Sequence, residues 1–275
     1  MGGCLLDNLS ICITLKNRAK LLDAKLHQLQ YQDYDLNKVE ICITDGYSTD
    51  NIIEVIEKWQ DKFYQIKYAI SDRSVLPFVV PTNNPACDIN AQICNVATFE
   101  KIIRTDAEVA FAHTGALKEI NQYLNEKDVC VWYRCSILPH GVEYNFKESI
   151  VDNPVFEYQG AYGGLCFCFN KSDFIINGGI EEKFAIGFGW EDTYFREWWS
   201  RNKKLIMIDD PSKFVWHFWH GYEKDGEFNM KLWREYSEPL FHEMVRVNTR
   251  PNEGNSNWTR PEMIKNERIF KCQTI

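Results

Sequence analysis

The chain has 275 residues and a mass of 32.3 kDa, enough for one large domain with a sizeable core. A formal charge of −8 and a pI near 5.4 exclude a nucleic-acid binder that relies on a basic face, so a phosphate ligand would need local help from a metal or a helix N-terminus. No apolar run approaches the ~20 residues that span a bilayer. Met1-Gly2-Gly3-Cys4 lacks the basic and apolar regions of a signal peptide, and Leu6 stands where a myristoylation signal has Ser or Thr. The ten cysteines form no CxxC pair and read as buried thiols of a reducing compartment. The expectation is a soluble cytoplasmic protein, at most held peripherally at the inner face of a membrane.

In chain order, Leu9 to Leu15 is short, apolar and rich in β-formers, which predicts a buried strand. Residues 18–30 carry Leu21, Leu22, Leu26 and Leu29 at helical spacing. Val39 to Thr44 predicts a second strand, and Ser48 is placed to cap the helix after it, whose inner face carries Ile52, Ile53, Val55, Ile56 and Trp59. Ile66 to Ile70 predicts a third strand. A loop with Pro77, Pro81, Asn83, Asn84 and Pro85 leads to Asp88, read as the N-cap of a helix through Phe99. Lys101 to Thr105 predicts a fourth strand ending at Asp106. This alternation implies an α/β fold with a mostly parallel sheet covered by helices on both faces, binding ligands at the carboxyl ends of its strands.

The second half reads as strands at Val129 to Cys135 and Gly164 to Phe169, separated by a loop around Pro139 to Pro154. A helix over Lys171 to Ile176, a Gly-rich loop, an aromatic helix over 192–201, a strand over Leu205 to Ile208 and a helix over Phe228 to Val247 follow. The polar tail from Asn248 is expected to wrap or fray. With no repeat or flexible linker, residues 1–275 read as one continuous domain. It divides into a nucleotide half over 1–110, an acceptor half over 111–222, and a C-terminal helix and tail over 223–275.

Four places carry candidate chemistry. Asp45 ends the second strand, where a carboxylate can accept hydrogen bonds from a nucleobase; a plain turn is the alternative. Asp106-Ala107-Glu108 lies just past the fourth strand, and two carboxylates at this spacing can share a divalent cation that binds diphosphate oxygens. Glu191-Asp192 follows Gly187-Phe188-Gly189-Trp190: Trp190 offers a flat apolar face to a sugar, and one carboxylate can take a proton from a hydroxyl. His217 and His220 lie on or just beyond an aromatic strand; imidazole with Asp and Glu favours Mn²⁺ over Ca²⁺.

Together these residues resemble the GT-A glycosyltransferases, family 2-like with a galactosyltransferase-type C-terminal half, over roughly residues 9 to 222. Thr14-Leu15-Lys16-Asn17-Arg18 is similar to the family's Thr-x-x-Asn-Arg segment, and Asp45 to Asp50 to its Asp-Asp-x-Ser-Thr-Asp turn. Asn90 matches an Asn on the helix before the metal strand, and Asp106-Ala107-Glu108 takes the place of Asp-x-Asp. Gly178-Gly179-Ile180-Glu181-Glu182 is like Gly-Gly-Phe-Asp-Glu, and Gly189-Trp190-Glu191-Asp192 like Gly-Gly-Glu-Asp. Gly46 and Glu108 depart from the pattern, each replacing its second Asp.

The resemblance implies a Rossmann-like sheet with a smaller acceptor-side subregion, and a hexosyltransferase that moves a sugar from a UDP-linked donor to a glycan or glycoconjugate hydroxyl, with inversion, in polysaccharide biosynthesis. By it Thr14, Asn17, Arg18, Asp45, Asn90 and Asp106 bind nucleotide. Asp106, Glu108 and His217 hold Mn²⁺, with Mg²⁺ as the alternative, and His220 is structural. Trp190 and Glu191 bind acceptor, and Asp192 is the general base. The rivals are a retaining transferase of the same fold, in which Asp192 only binds acceptor, and a non-catalytic nucleotide- or carbohydrate-binding protein. A nucleotidyltransferase would need a phosphate-cradling Gly-rich loop, which residues 9–20 lack.

Overall fold

The computed structural model describes residues 7–82, 84–137, 160–161, 165–218 and 226–271. Asn83, Gly164, His220 and the loop expected around Pro139 to Pro154 lie outside the described residues. Four parallel strands, β1 (Leu9–Leu15), β2 (Val39–Asp45), β3 (Gln65–Ser71) and β4 (Lys101–Asp106), form the centre of an eight-stranded sheet in the order β4-β1-β2-β3. Their residues alternate between two apolar cores, the period of two that a strand imposes. Ile11, Ile13, Ile41 and Ile43 point to one face and the small Cys12 and Cys42 to the other.

The first face is covered by α1 (Ala19–Leu29), α2 (Ile52–Trp59) and α4 (Ala116–Tyr123), which bury Leu22, Leu26, Ile52, Ile56, Leu117 and Ile120 against it. The second is covered by α3 (Ala86–Asn95), α5 (Lys171–Ile176), α6 (Glu191–Asn202) and α8 (Glu238–Val247). Cys12 and Cys42 leave room for α3 to approach closely, and the buried Gln92 donates to the carbonyls of Ile13 and Cys42 at 2.8 and 2.9 Å. The eight described cysteines are free thiols, all buried except the half-buried Cys94.

The rest of the sheet departs from parallel order. β9 (Cys166–Asn170) runs antiparallel to β4 and to β6 (Val129–Tyr133), and β10 (Lys204–Ile208) lies parallel to β6 at one edge. The run expected as one strand over Val129 to Cys135 is two: it breaks at Arg134, and β7 (Cys135–Ile137) joins a second sheet. That sheet has the order β5-β11-β7-β8, with β5 (Val109–Phe111), β8 (Gly160–Ala161) and β11 (Val215–His217).

Three further expectations are corrected. Ser48 does not cap α2, whose N-cap position is Asn51; the Ser48 hydroxyl donates to Asp45 instead. Asp88 lies inside the first turn of α3, after Pro85, because its carboxylate is taken by Arg73 at 2.5 Å. Of the two alternatives for the tail, wrapping is the one seen: β12 (Ile264–Phe270) pairs antiparallel with β3 as the other edge of the large sheet. The helix expected over Phe228 to Val247 is α7 (Gly226–Leu232), a π-helical turn over Trp233–Ser237, and α8. Among the described residues no helix is long and apolar enough to cross a membrane.

Candidate active site

The carboxyl ends of β1 to β4 open into a cavity of about 1100 Å³. Thr14 and Arg18 line it from the end of β1, and Thr44, Gly46 and Tyr47 from the end of β2. Asn17, in the left-handed region at φ 53°, ties these two turns together instead of lining the cavity. Its N–H donates to Ser48 Oγ and its side-chain oxygen accepts from the Thr49 N–H, both at 2.7 Å. Asp45 is only 1% exposed and also does not line the cavity. One of its oxygens accepts from the Ser48 N–H and hydroxyl at 2.8 and 2.6 Å, the other from the Tyr68 hydroxyl at 2.8 Å. The carboxylate expected to read a base is therefore occupied in shaping its own turn.

Asp106 and Glu108 enter the cavity from the turn between β4 and β5. Arg104, nearly buried on β4, meets Asp106 at 2.6 Å, and its guanidinium lies over the Phe167 ring at 5.6 Å. Burial raises the Asp106 carboxyl, Arg104 opposes that and Glu108 adds to it, leaving Asp106 at about 6. Lys25, buried on α1, spans the turn: its ammonium donates to Thr105 Oγ1 at 3.1 Å and to the Val109 carbonyl at 2.6 Å. One and two helical turns further on, Gln28 and Gln32 donate to the carbonyls of Phe111 and His113 at 3.0 and 2.9 Å. Two side chains of α1 and one just past its end thus serve alternate carbonyls, two on β5 and one two residues beyond it.

The second sheet brings in His217. β11 pairs with β5 so that His217 stands opposite Val109, and the Phe218 N–H donates to the Glu108 carbonyl at 2.8 Å. Asp106, Glu108 and His217 all line the cavity, but among the described residues no three His, Cys, Asp or Glu side chains converge as a ready cation site. The donor chemistry still suits a hard divalent ion that takes one or two carboxylates and completes its shell with phosphate oxygens and water. A carboxyl raised by burial and by the charge of Glu108 is a group that a cation would relieve.

The Gly-rich loop forms the opposite wall. Asn90, fully buried, accepts from the Ile180 N–H at 2.9 Å and donates to the Ile180 carbonyl at 2.8 Å, so it fixes the loop and does not line the cavity. Trp190, left-handed at φ 72°, precedes α6 and packs on Trp233 and Phe241 at ring distances of 5.5 and 4.2 Å; it lies behind the cavity wall. Glu191 and Asp192, both lining, sit in the first turn of α6, where the helix dipole favours negative charge. Burial, then the charge of Asp192, pushes Glu191 up to about 8, with Asn84 donating to it at 2.8 Å. Trp198 and Trp199 are core residues.

The cavity thus gathers Thr14, Arg18, Asp106, Glu108, Glu191, Asp192 and His217, and leaves Asn17, Asp45, Asn90 and Trp190 outside its lining as residues that hold its walls. Sequence reasoning missed Arg104, Lys25, Arg73 and Tyr47. Arg104 had a signal, a lone cation inside an apolar strand. Lys25 had a fainter one, a polar row with Gln28 and Gln32 beside the leucine stripe.

The glycosyl transferase family 2 profile matches residues 10–75. Comparison with curated proteins returns no match. Among solved structures, S. aureus TarS 1–349 in complex with UDP aligns at 16% identity and a TM-score of 0.56, over 91% of this chain and 73% of that one. Mannosyltransferase PcManGT from Pyrobaculum calidifontis, in complex with GDP-Man and Mn²⁺, aligns at 16% identity and 0.57 over 94% and 71%. GalNAc-T7 with UDP, GalNAc and Mn²⁺ aligns at 13% and 0.54 over 94% and 53%. Against a longer TarS chain the alignment spans 37% of that chain's length. The chain has the GT-A fold, and its residues 10–75 match the glycosyl transferase family 2 model.

Proposed function

We propose that the chain moves a sugar from a nucleoside diphosphate sugar, UDP-linked, to a hydroxyl of a glycan or glycoconjugate, with inversion, in the assembly of a polysaccharide. The observation that carries this reading is the one cavity shared by the Asp106–Glu108 turn and the Glu191–Asp192 helix start. Solved neighbours of the same fold, which hold UDP or GDP-Man, two of them with Mn²⁺, support it.

In this reading Thr14 and Arg18 flank the nucleotide, while Asn17, Asp45 and Asn90 hold the turns that shape its site. Asp106 and Glu108, with His217 beside them, would hold a divalent cation, Mn²⁺ or alternatively Mg²⁺, which offsets charge on the departing diphosphate. Asp192 takes the proton of the acceptor hydroxyl as that oxygen bonds the anomeric carbon and the bond from carbon to the diphosphate oxygen breaks. Glu191, protonated at neutral pH, donates a hydrogen bond to the acceptor. Trp190 backs the wall on which the acceptor rests.

Thermal stabilisation and slow hydrolysis across a panel of nucleotide sugars, with and without Mn²⁺, test the donor side. A Mn²⁺-dependent response to UDP-sugars is expected, and no response to any donor would sink the reading. Asp192→Asn is expected to keep donor binding and lose transfer by a factor of about 10²–10⁴, the usual worth of a positioned base. Anomer analysis of the product by NMR checks inversion: a product that keeps the donor's configuration reassigns Asp192 to acceptor binding.

A further inference from the structure

We propose that Tyr47 is the residue that grips the nucleobase of the donor, by ring stacking instead of by hydrogen bonding; the inference rests on the donor-site reading above. Tyr47 stands in the left-handed region at φ 62°, where a side chain is disfavoured and a glycine would be at ease. It is 55% exposed and lines the cavity, so neither packing nor burial accounts for keeping a large ring in a strained turn. Desolvation and the nearby charge of Asp72, a carboxylate fixed by the N–H and hydroxyl of Ser74 at 3.0 and 2.6 Å, raise the Tyr47 hydroxyl. The residue thereby stands near both the turn after β2 and the turn after β3.

The sheet order places it at the right end of the site. With the diphosphate at the end of β4 and the acceptor beyond it at α6, the nucleoside must extend the other way, across β1 toward β2 and β3. Strand spacing makes β2 about 10 Å and β3 about 14 Å from β4, a distance that a ribose and a base cover. At that end Asp72, Arg73 and Ser74 line the cavity, but the strand-end carboxylate expected to read the base does not. Asp45 has both oxygens engaged inside the turn, and Gly46 has no side chain to offer. A Cβ at Gly46 would only touch Lys16 at 3.6 Å and the Leu15 carbonyl at 3.7 Å, ordinary contacts, so no crowding demands a glycine there. Stacking is tolerant of base identity, because every base has a π-face.

The test is calorimetric binding of UDP, GDP and inorganic pyrophosphate, each with Mn²⁺, to the full chain and to its Tyr47→Gly and Tyr47→Phe variants. Tyr47→Gly is expected to weaken UDP and GDP by about tenfold, the usual worth of one stacked base, and to leave pyrophosphate unchanged. Its thermal midpoint should not fall, since glycine relieves the left-handed turn. Tyr47→Phe keeps the ring and is expected to keep UDP affinity within about threefold. Wild-type UDP affinity in the glycine variant would overturn the inference, as would an equal loss of pyrophosphate. A wild-type chain that binds neither nucleotide nor pyrophosphate overturns the donor-site reading itself.

Discussion

Glu191 and Asp192 are adjacent in one helical turn, and the physics of that adjacency divides their labour. Two carboxylates so placed raise the cost of a second charge, and burial at Glu191 adds to it, so Glu191 holds its proton up to about 8. An unfolded Glu releases its proton near pH ~4.3. Between that value and about 8 the folded chain binds more protons at this site than the unfolded chain, so stability falls as pH rises through the window. Above it, both states are ionised and this contribution stays at its least favourable. Glu191→Gln keeps an oxygen for the Asn84 amide and removes the titration. The expected result is a thermal midpoint that gains on wild type progressively from pH 5 to pH 8. A difference independent of pH would show that Glu191 is ionised throughout.

At the scale of elements, the hairpin that carries Asp106 and Glu108 is braced from outside its own sheet. β5 has only three residues and pairs with β11 on one side; Lys25 and Gln28 of α1 supply donors to its carbonyls from the helix layer, and Gln32, just past α1, to the His113 carbonyl beyond it. Lys25→Met removes the brace at similar volume. It leaves the Val109 carbonyl and Thr105 hydroxyl short of a donor, a cost of about 1–3 kcal/mol, partly offset by taking a buried charge out of the core. The fold should survive while the turn loosens, lowering kcat by about tenfold to a hundredfold and raising the Mn²⁺ concentration for half-maximal rate. Unchanged kcat and Mn²⁺ dependence would reduce the row to packing. The elements around this hairpin differ in how plainly the sequence announces them. β1 to β4 are near-continuous apolar runs because parallel strands are buried on both faces. The pairing of β5 with β11, which delivers His217 opposite Val109, joins residues 108 positions apart, 217 against 109, and no local pattern encodes it. The break at Arg134 was hidden for a related reason: both pieces around it are apolar, and only the change of sheet separates them.

At the scale of the whole molecule, the tail from Asn248 to Phe270 joins the two ends of the cavity. Its last strand, Ile-Lys-Asn-Glu-Arg-Ile-Phe, is an exposed edge with a bulge between Lys265 and Arg268, and such strands carry charges where a buried one carries alternation, which is why the sequence showed no strand there, only a tail that wraps or frays. It pairs with β3, whose far end leads into the cavity-lining residues Asp72, Arg73 and Ser74. Upstream, the same tail seats the Gly-rich loop. Asn252 donates to the carbonyls of Gly178 and Ile180 at 2.7 and 2.6 Å, and a Cβ on Gly178 would meet the Pro251 carbonyl at 2.1 Å. The clasp between loop and tail is a buried ion pair, Arg260 with Glu182 at 2.7 Å, with Arg260 also over the Phe78 ring at 5.8 Å. Removing one partner strands a buried carboxylate, so Arg260→Met is expected to cost about 3–5 kcal/mol and to lower the thermal midpoint on the order of 10 °C. Replacing both, Glu182→Leu with Arg260→Met, leaves no charge to solvate, and most of that loss should return. If the double variant is as unstable as the single, the pair matters through its geometry, with the guanidinium needed to hold the left-handed Arg260 turn at φ 46°. Function separates the two ends further. The single variant, assayed below its midpoint, should lose acceptor-dependent transfer more than donor hydrolysis, because the clasp touches the loop that leads to Asp192 and not the turn that holds Asp106. Equal losses in both assays would mean that the tail supports the sheet as a whole and the acceptor wall only through it.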